Sequence, residues 1–329
     1  MRARPRILSA ATPLALALSA ALLAAGCSSA SSSPAGAAGG SSSASGNGAS
    51  GNGASGAIEA IGAENEYASV IAQVGGKYVH ADSIMSNPNT DPHTFEASPA
   101  VAREISSAKL IVQNGAGYDD WATSIEAASP DSSRAVIDVQ RLRGLPGATP
   151  NPHLWYDPAT MPKVAAAIAA ALGKIDPAHG AYYTANAASF TASLSAWTAA
   201  IATFRASYPG TPVATTEPVA DYMLQAAGTD NLTPWTFQAD IMNGTDPSPQ
   251  DVALQKSLFT QHKVKVFLYN QQVTDSLTQA CITLARDNGI PVVGVYETMP
   301  SGYTYQSWME AEVSALARAV ASKASTERL

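Results

Sequence analysis

The 329-residue sequence predicts an α/β protein whose mostly parallel sheets are flanked by helices. Three observations carry this prediction. Short apolar runs alternate with helical patterns from Ala57 to about Lys323. That stretch is long enough for two lobes or one large α/β domain. Its middle is one amphipathic helix too long for a single small lobe.

Ahead of the fold, MRARPR gives a charged start, ILSAATPLALALSAALLAAG an apolar run, and Ala25-Gly26 a small pair before Cys27, the pattern of an export signal. With cysteine directly after the small pair, residues 1–26 resemble a lipoprotein signal peptide, after whose removal Cys27 is diacylated and anchors the chain. An ordinary secretory signal with an incidental cysteine is the alternative. Residues 27–56 are Ser/Gly-rich, with SGNGA occurring twice. Lacking large apolar residues, they read as a flexible tether of about 30 Å root-mean-square reach. Together these features put the mature protein in the cell envelope, lipid-anchored at the outer face of the cytoplasmic membrane. No later apolar run is long enough to span a bilayer. Removing the signal takes away Arg2, Arg4 and Arg6, which leaves 16 basic residues against 26 acidic ones and moves the net charge from -7 to -10. That balance argues against a nucleic-acid partner and suits a cationic ligand. With Cys27 lipidated, Cys281 has no disulfide partner and reads as a small buried hydrophobe in a helix.

The first lobe is expected over residues 57–180. Strands are predicted at Ile58 to Gly62, Lys77 to Ile84, Leu110 to Asn114 and Ala135 to Val139, and helices at Glu66 to Val74, Ala100 to Ala108 and Pro158 to Gly173. From Ala181 to Ser207, the residues Phe190, Leu194, Trp197, Ile201 and Phe204 recur at three- and four-residue spacing, which predicts one continuous helix about 39 Å long. Its place at the middle of the mature chain favours a bridge between lobes. The second lobe, residues 208–329, repeats the alternation. Strands are predicted at Pro212 to Thr215, Val264 to Tyr269 and Ile290 to Tyr296, and helices at Val219 to Ala227, Pro249 to Gln261, Asp275 to Asn288 and Gln306 to Lys323. Ser248 is the expected cap of the Pro249 helix, and Asn288-Gly289 ends the Asp275 helix.

The chemistry is organised around Asn87 to Pro99, NPNTDPHTFEASP, and Asn151 to Pro158, NPHLWYDP. Each holds a histidine directly after a proline, followed by an aromatic and an acid. Neutral imidazole is the commonest ligand for zinc, copper, iron and nickel, and the proline stiffens the turn that presents it. In open α/β sheets, ligands bind outside the carboxyl ends of strands. Glu217, after PVATT, and Glu297, after PVVGVY, stand at such ends, although an acid there is commonly a helix-start charge.

The segments NTDPHTFEASP, IVQNGAGYDDW, NPHLWYDP, ATTEPVADYML, NGTDPSPQDV and PVVGVYETMPSGYTYQSWM resemble, in this order, the metal-binding solute-binding lipoproteins of zinc and manganese ABC importers. The likeness covers nearly all of Ala57 to Lys323. It implies two α/β lobes joined by one long rigid helix, with a metal in the cleft between them. Carried over position by position, His93 and His153 match the two loop histidines, Glu217 the third ligand, where many members have histidine, and Glu297 the fourth, where aspartate is commoner. Glu96, Asp157 and Tyr118 are candidates to support those ligands from behind, as imidazole acceptors or cleft-lining groups. The implied partner is an importer permease with its ATPase on a separate chain, served by a monomeric receptor.

Two neutral imidazoles and two carboxylates carry a charge of about -2, which a divalent cation neutralises. Carboxylates that bind through both oxygens lean toward Mn2+, whereas the affinity order of divalent ions leans toward Zn2+. Zinc members of the resembled family often carry a histidine- and acid-rich loop between the first two ligands, and this chain has none between Trp121 and Gly147. Four protein donors without a nucleophile suit holding and release better than catalysis, so no enzyme is expected. The alternatives are a surface adhesin with a structural metal and, less favoured, a metallohydrolase, for which no His-Glu-x-x-His is present. His80, His179 and His262 read as surface or structural residues.

Overall fold

Each half of the chain winds a four-stranded parallel sheet, and the computed structural model describes residues 56–329. The expected signal peptide, Cys27 and the tether up to residue 55 lie outside the described residues. The first lobe runs β1 (Ile58–Glu64), α1 (Asn65–Gly75), β2 (Val79–Met85), α2 (Pro99–Ser107), β3 (Leu110–Gln113), α3 (Asp120–Ala128), β4 (Ala135–Asp138), α4 (Val139–Leu142) and α5 (Thr160–Ile175). After α6 (Gly180–Ser193) and α7 (Ser195–Ser207), the second lobe runs β5 (Pro212–Thr215), α8 (Asp221–Ala226), β6 (Asp230–Asn231), α9 (Trp235–Met242), α10 (Pro249–Thr260), β7 (Val266–Asn270), α11 (Ser276–Asp287), β8 (Val292–Val295) and α12 (Tyr305–Ser322). The sheet orders are β2-β1-β3-β4 and β6-β5-β7-β8, and every strand pair is parallel.

Strands β3, β5, β7 and β8 are buried on both faces because helices cover both sides of the sheets, whereas β2 exposes His80 and Asp82. Alternate residues divide between the two sides, so Leu110 and Val112 face the large inner core while Ile111 joins Ile61 and Ile105 on the outer side. In the second sheet Val266 and Leu268 point inward, and Phe267 packs outward with Phe237, Phe259 and Ile282. The inner core runs unbroken across both lobes and contains Trp155, Trp197, Tyr305 and Trp308, all fully buried. Helix starts follow capping chemistry: Ser98 and Ser248 accept from Val101 N and Asp251 N, each with proline at the first helical position. Asp275 with Thr278 and Thr304 with Ser307 close capping boxes at α11 and α12.

The bridging helix departs from expectation. It is two helices separated at Leu194, whose N–H turns from its α-helical partner Phe190 O to Thr191 O at 3.3 Å. The cause is Ser193, whose hydroxyl donates to Phe190 O at 2.6 Å and accepts from Gln306 Nε2 at 2.7 Å. A serine hydroxyl competing for a helical carbonyl is a recognised source of bending, and side-chain periodicity does not register it. The first piece packs on α5 and α1 and the second on α12 and α8, so each belongs to one lobe. Periodicity also passed over α3, α9 and the two-residue β6, all short and part-exposed.

One buried acid in this core has a measurable consequence. Glu312 is 1 % exposed and accepts from Trp308 Nε1 at 3.0 Å and Tyr156 Oη at 3.3 Å. Burial pushes its carboxyl up to about 8 despite those hydrogen bonds. Between the unfolded carboxyl pKa, about 4.3, and that raised value the native state holds one more proton than the unfolded state. This contribution to stability is therefore complete below about pH 4.3 and is lost as the pH rises to about 8. Glu312→Gln is expected to remove that slope, so that Tm at pH 8 rises relative to the parent while Tm at pH 4.5 changes little. Equal Tm differences at the two pH values would rule this out.

Candidate metal centre

The two Pro-His turns are built alike, and the backbone around each explains where its ring points. Asp91 Oδ1 accepts from His93 N at 2.9 Å, and Pro92 opens the short 3-10 turn Pro92–Thr94. In the second turn Asn151 Oδ1 accepts from His153 N at 3.0 Å and lies 2.8 Å from His153 Nδ1. Asn151 Nδ2 is committed to Pro218 O at 2.9 Å, so the His153 contact is Nδ1–H donating to an amide oxygen, and Nε2 is left to face the cleft. The residues after His153 are anchored to the second lobe: Tyr156 Oη donates to Tyr296 O at 2.9 Å, and Trp155 O accepts from Tyr305 Oη at 2.6 Å.

Three of the four predicted ligands converge. Glu297, two residues past β8, puts Oε2 3.1 Å from His93 Nε2 and 3.2 Å from His153 Nε2, and the imidazole centroids are 5.9 Å apart. Glu217, two residues past β5, lies beside them. Asn270 Nδ2 bridges Glu217 Oε1 at 3.2 Å and Glu297 Oε1 at 2.5 Å, so one amide holds both carboxylates. Glu217 Oε2 is buried without a hydrogen-bond partner, and His93 Nε2 meets Glu297 without hydrogen-bond geometry. Buried donor atoms left unpaired in a cleft of nitrogen and carboxylate groups fit a divalent cation. His153, Glu217 and Glu297 are all buried, and His93 is half-buried at the rim.

Burial and mutual charge set the protonation. For Glu297 the desolvation that raises a carboxyl is outweighed by His93 and His153, and its pKa falls well below the usual range. Burial and the Glu297 charge raise Glu217 well above it. Burial lowers His93, but the Glu297 and Asp91 charges more than reverse that, so its pKa ends raised; His153, fully buried, ends lowered.

The supporting residues differ from those expected. Glu96 is exposed, and Asp157 is held by Arg143 Nη2 at 2.7 Å; among the described residues neither is hydrogen-bonded to His93 or His153. Support comes instead from residues that precede the histidines: Asn151 reaches the His153 ring, and Asp91 holds the backbone of His93. Tyr118 reaches the site directly, with its hydroxyl donating to Glu297 Oε2 at 2.9 Å. It is delivered by a left-handed turn, Gly115, Ala116 and Gly117 at φ 73°, 57° and 78°, braced by Asp119 accepting from Gly115 N at 2.8 Å. A Cβ at Gly115 would lie 2.9 Å from Asp138 Oδ1, so the first of these positions demands glycine. Asn270 was missed because an amide at a strand end carries no pattern. Glu64 and Glu66 were missed as well: they are buried with all four carboxylate oxygens unpartnered, and burial first, then neighbouring acids, raises both pKa values.

The remaining histidines lie elsewhere. His80 is exposed beside Glu59 at 2.8 Å and Asp82 at 3.5 Å. His179 stacks on Tyr78 at 3.7 Å and pairs with Asp176, and His262 is exposed at φ 49° after α10.

Residues 63–319 match the family described as zinc-uptake complex component A, periplasmic (ZnuA). Among curated proteins, a putative metal-binding protein of Treponema pallidum is 28% identical over 139 residues, 36% of this chain and 43% of that one. The manganese-binding lipoprotein MntA of Bacillus subtilis is 24% identical over 105 residues, 30% of this chain and 34% of that one. The matches thus span less than half the length of these curated relatives. Among solved structures, the periplasmic zinc-binding protein TroA of Treponema pallidum superposes with a TM-score of 0.69 at 18% identity, covering 81% of this chain and 100% of that one. A mutant of the laminin-binding adhesin Lmb of Streptococcus agalactiae gives 0.66 at 22% identity, covering 80% and 99%. These two superpositions speak for the shared two-lobed fold.

Proposed function

The chain belongs to the family of the periplasmic component A of zinc-uptake complexes, and from that premise we propose that it captures one Zn2+ or Mn2+ ion between its lobes and yields it to the permease of an ABC importer. The observation that carries this is the meeting of His93, His153 and Glu297 within one buried cleft, with Glu217 tied to Glu297 through Asn270. The first lobe contributes two imidazoles and the second two carboxylates, so the ion joins the lobes. Supply of every donor by the protein suits reversible holding, and the ion is cargo rather than a reagent. A lipid at Cys27 and a permease partner with a separate ATPase complete the reading. The named preferences of the relatives, zinc for TroA and manganese for MntA, support both ions as cargo.

Elemental analysis of protein taken from its native envelope, paired with competitive Zn2+ and Mn2+ titration, tests the proposal. One equivalent of either ion per chain is expected. Chelation should leave the protein folded, because the unbroken inner core does not depend on the cation. Re-addition of ion at about a hundred times Kd stabilises by about 2.7 kcal/mol, a Tm rise of about 5–10 °C. Native protein free of both metals, or a chain that unfolds when chelated, would count against a cargo receptor; the second result would favour an adhesin with a structural ion.

A further inference from the structure

We infer that Gln272 is a positioning residue that latches the His93 loop to the second lobe and so sets how long the cation stays bound. This rests on the receptor reading above. Gln272 lies just past β7, is 8 % exposed, and uses every hydrogen-bonding position of its amide. Its Oε1 accepts from Glu297 N at 2.7 Å and Thr298 N at 2.8 Å, and its Nε2 donates to Thr298 Oγ1 at 3.1 Å. The remaining donor goes to Thr90 O at 2.7 Å, in the loop of the opposite lobe. One side chain therefore grips the backbone of the Glu297 ligand and the loop that carries the His93 ligand. Gln272 N also donates to Asn270 Oδ1 at 2.9 Å, the same asparagine that bridges the two carboxylates.

The point of attachment is a joint. Between β2 and α2 the loop consists of two self-contained turns. In the first, Asn87 accepts from Asn89 N at 3.1 Å and donates to Thr90 Oγ1 at 2.7 Å; in the second, Asp91 and Pro92 hold His93, Thr94 and Phe95. Thr90 O sits where the two turns meet. A cavity of about 220 Å³, lined by Met85, Asn87, Thr90, Asp91, Pro92 and Thr298, flanks the loop at the seam between lobes. Beside that void the first turn is exposed at Asn87, Asn89 and Thr90, so its tie to the second lobe is the Gln272 hydrogen bond rather than packing, and weakly packed segments open at low free-energy cost. The second turn keeps Pro92 buried and Phe95 against Trp121, so loss of the Gln272 bond loosens rather than frees it, and the ligand whose hold on the cation weakens is His93, half-buried where the other three are buried.

Gln272→Glu separates this role from the support of Glu297. The glutamate keeps an acceptor for Glu297 N and Thr298 N but has no donor for Thr90 O. Stopped-flow release of bound Zn2+ from the full chain into excess chelator reads the effect. Gln272→Glu is expected to speed release about fivefold, the order of one neutral hydrogen bond, with the association rate changed less than twofold. Gln272→Ala should be faster still. Asn87→Ala, an exposed position that removes the brace on Thr90 without touching a ligand, should speed release about twofold and serves if a Gln272 variant fails to fold. Acceleration by Gln272→Ala alone, with Gln272→Glu and Asn87→Ala at the parent rate, would confine Gln272 to Glu297 and overturn the latch. Parent rates in all three would overturn it as well. If the parent takes up Mn2+ but not Zn2+, release of Mn2+ is read in the same way; a parent protein that binds neither ion is a failure of the receptor reading itself, distinguishable because no release signal exists in any variant.

Discussion

Replacing Glu297 with glutamine is expected to lower the affinity for Zn2+ and Mn2+ by more than about a hundredfold while the protein stays folded. The groups around a metal's ligands are already worth about 10- to 100-fold when removed, and Glu297 is the group on which the other donors converge. Its Oε2 lies 3.1 Å from His93 Nε2 and 3.2 Å from His153 Nε2 and accepts from Tyr118 at 2.9 Å. Glutamine keeps the volume and can still receive Asn270, but it removes the only carboxylate of the site whose pKa is depressed and which is therefore charged before the ion arrives. Tyr118→Phe, which removes a hydrogen bond and leaves the charge, should fall nearer tenfold. Competition titration against a chelator of known affinity measures both, with circular dichroism and Tm reporting the fold. Parent affinity in Glu297→Gln would remove this residue from the site.

Affinity should also collapse on acidification, and from a higher pH than free histidine would suggest. A donor must shed its proton before it takes the ion. The proton on His93 is held above the ordinary imidazole range by the Glu297 and Asp91 charges, which outweigh burial, and that on Glu217 is held above the ordinary carboxyl range by burial and by Glu297. His153, depressed by burial, has no proton to lose near neutrality. Binding therefore releases protons, and the apparent association constant drops about tenfold per pH unit for each proton released. The decline should begin above about pH 6.5, the unperturbed imidazole value, and steepen where Glu217 is also protonated. Titrations from pH 5 to 8, with calorimetry in buffers of differing ionisation enthalpy to count protons, test the sign. A flat profile across that range would falsify the proposed donor set.

What could be read from the chain divides along physical lines. Apolar runs covered on both faces announced the parallel strands, and Ser98, Ser248 and the Asn288-Gly289 pair marked helix ends by local chemistry. The Pro-His turns were legible because their own neighbours stiffen them. What escaped depends on contacts distant in sequence. Asn270 joins Glu217 to Glu297 only after three strands, β5, β7 and β8, lie side by side. Ser193 breaks the linking helix through a hydroxyl that periodicity cannot weigh. Glu96 and Asp157, a few residues after their histidines, looked suited to orient the rings, but Glu96 is exposed and Asp157 pairs with Arg143, while Asn151 holds the His153 ring and Asp91 the His93 backbone.

The two sheets share one permuted winding, β2-β1-β3-β4 and β6-β5-β7-β8. The last β1–β3 pair is at Gly62 and the last β5–β7 pair at Thr215, so the residue two further on is the same architectural station, filled by Glu64 in one lobe and Glu217 in the other. Both are enclosed glutamates, yet only Glu217 shares an amide with the cleft, while both carboxylate oxygens of Glu64 lack a hydrogen-bond partner. The lopsided pairing of nitrogen donors on one side with oxygen donors on the other is thus written in the loops and side chains, upon a scaffold that offers both halves equivalent berths.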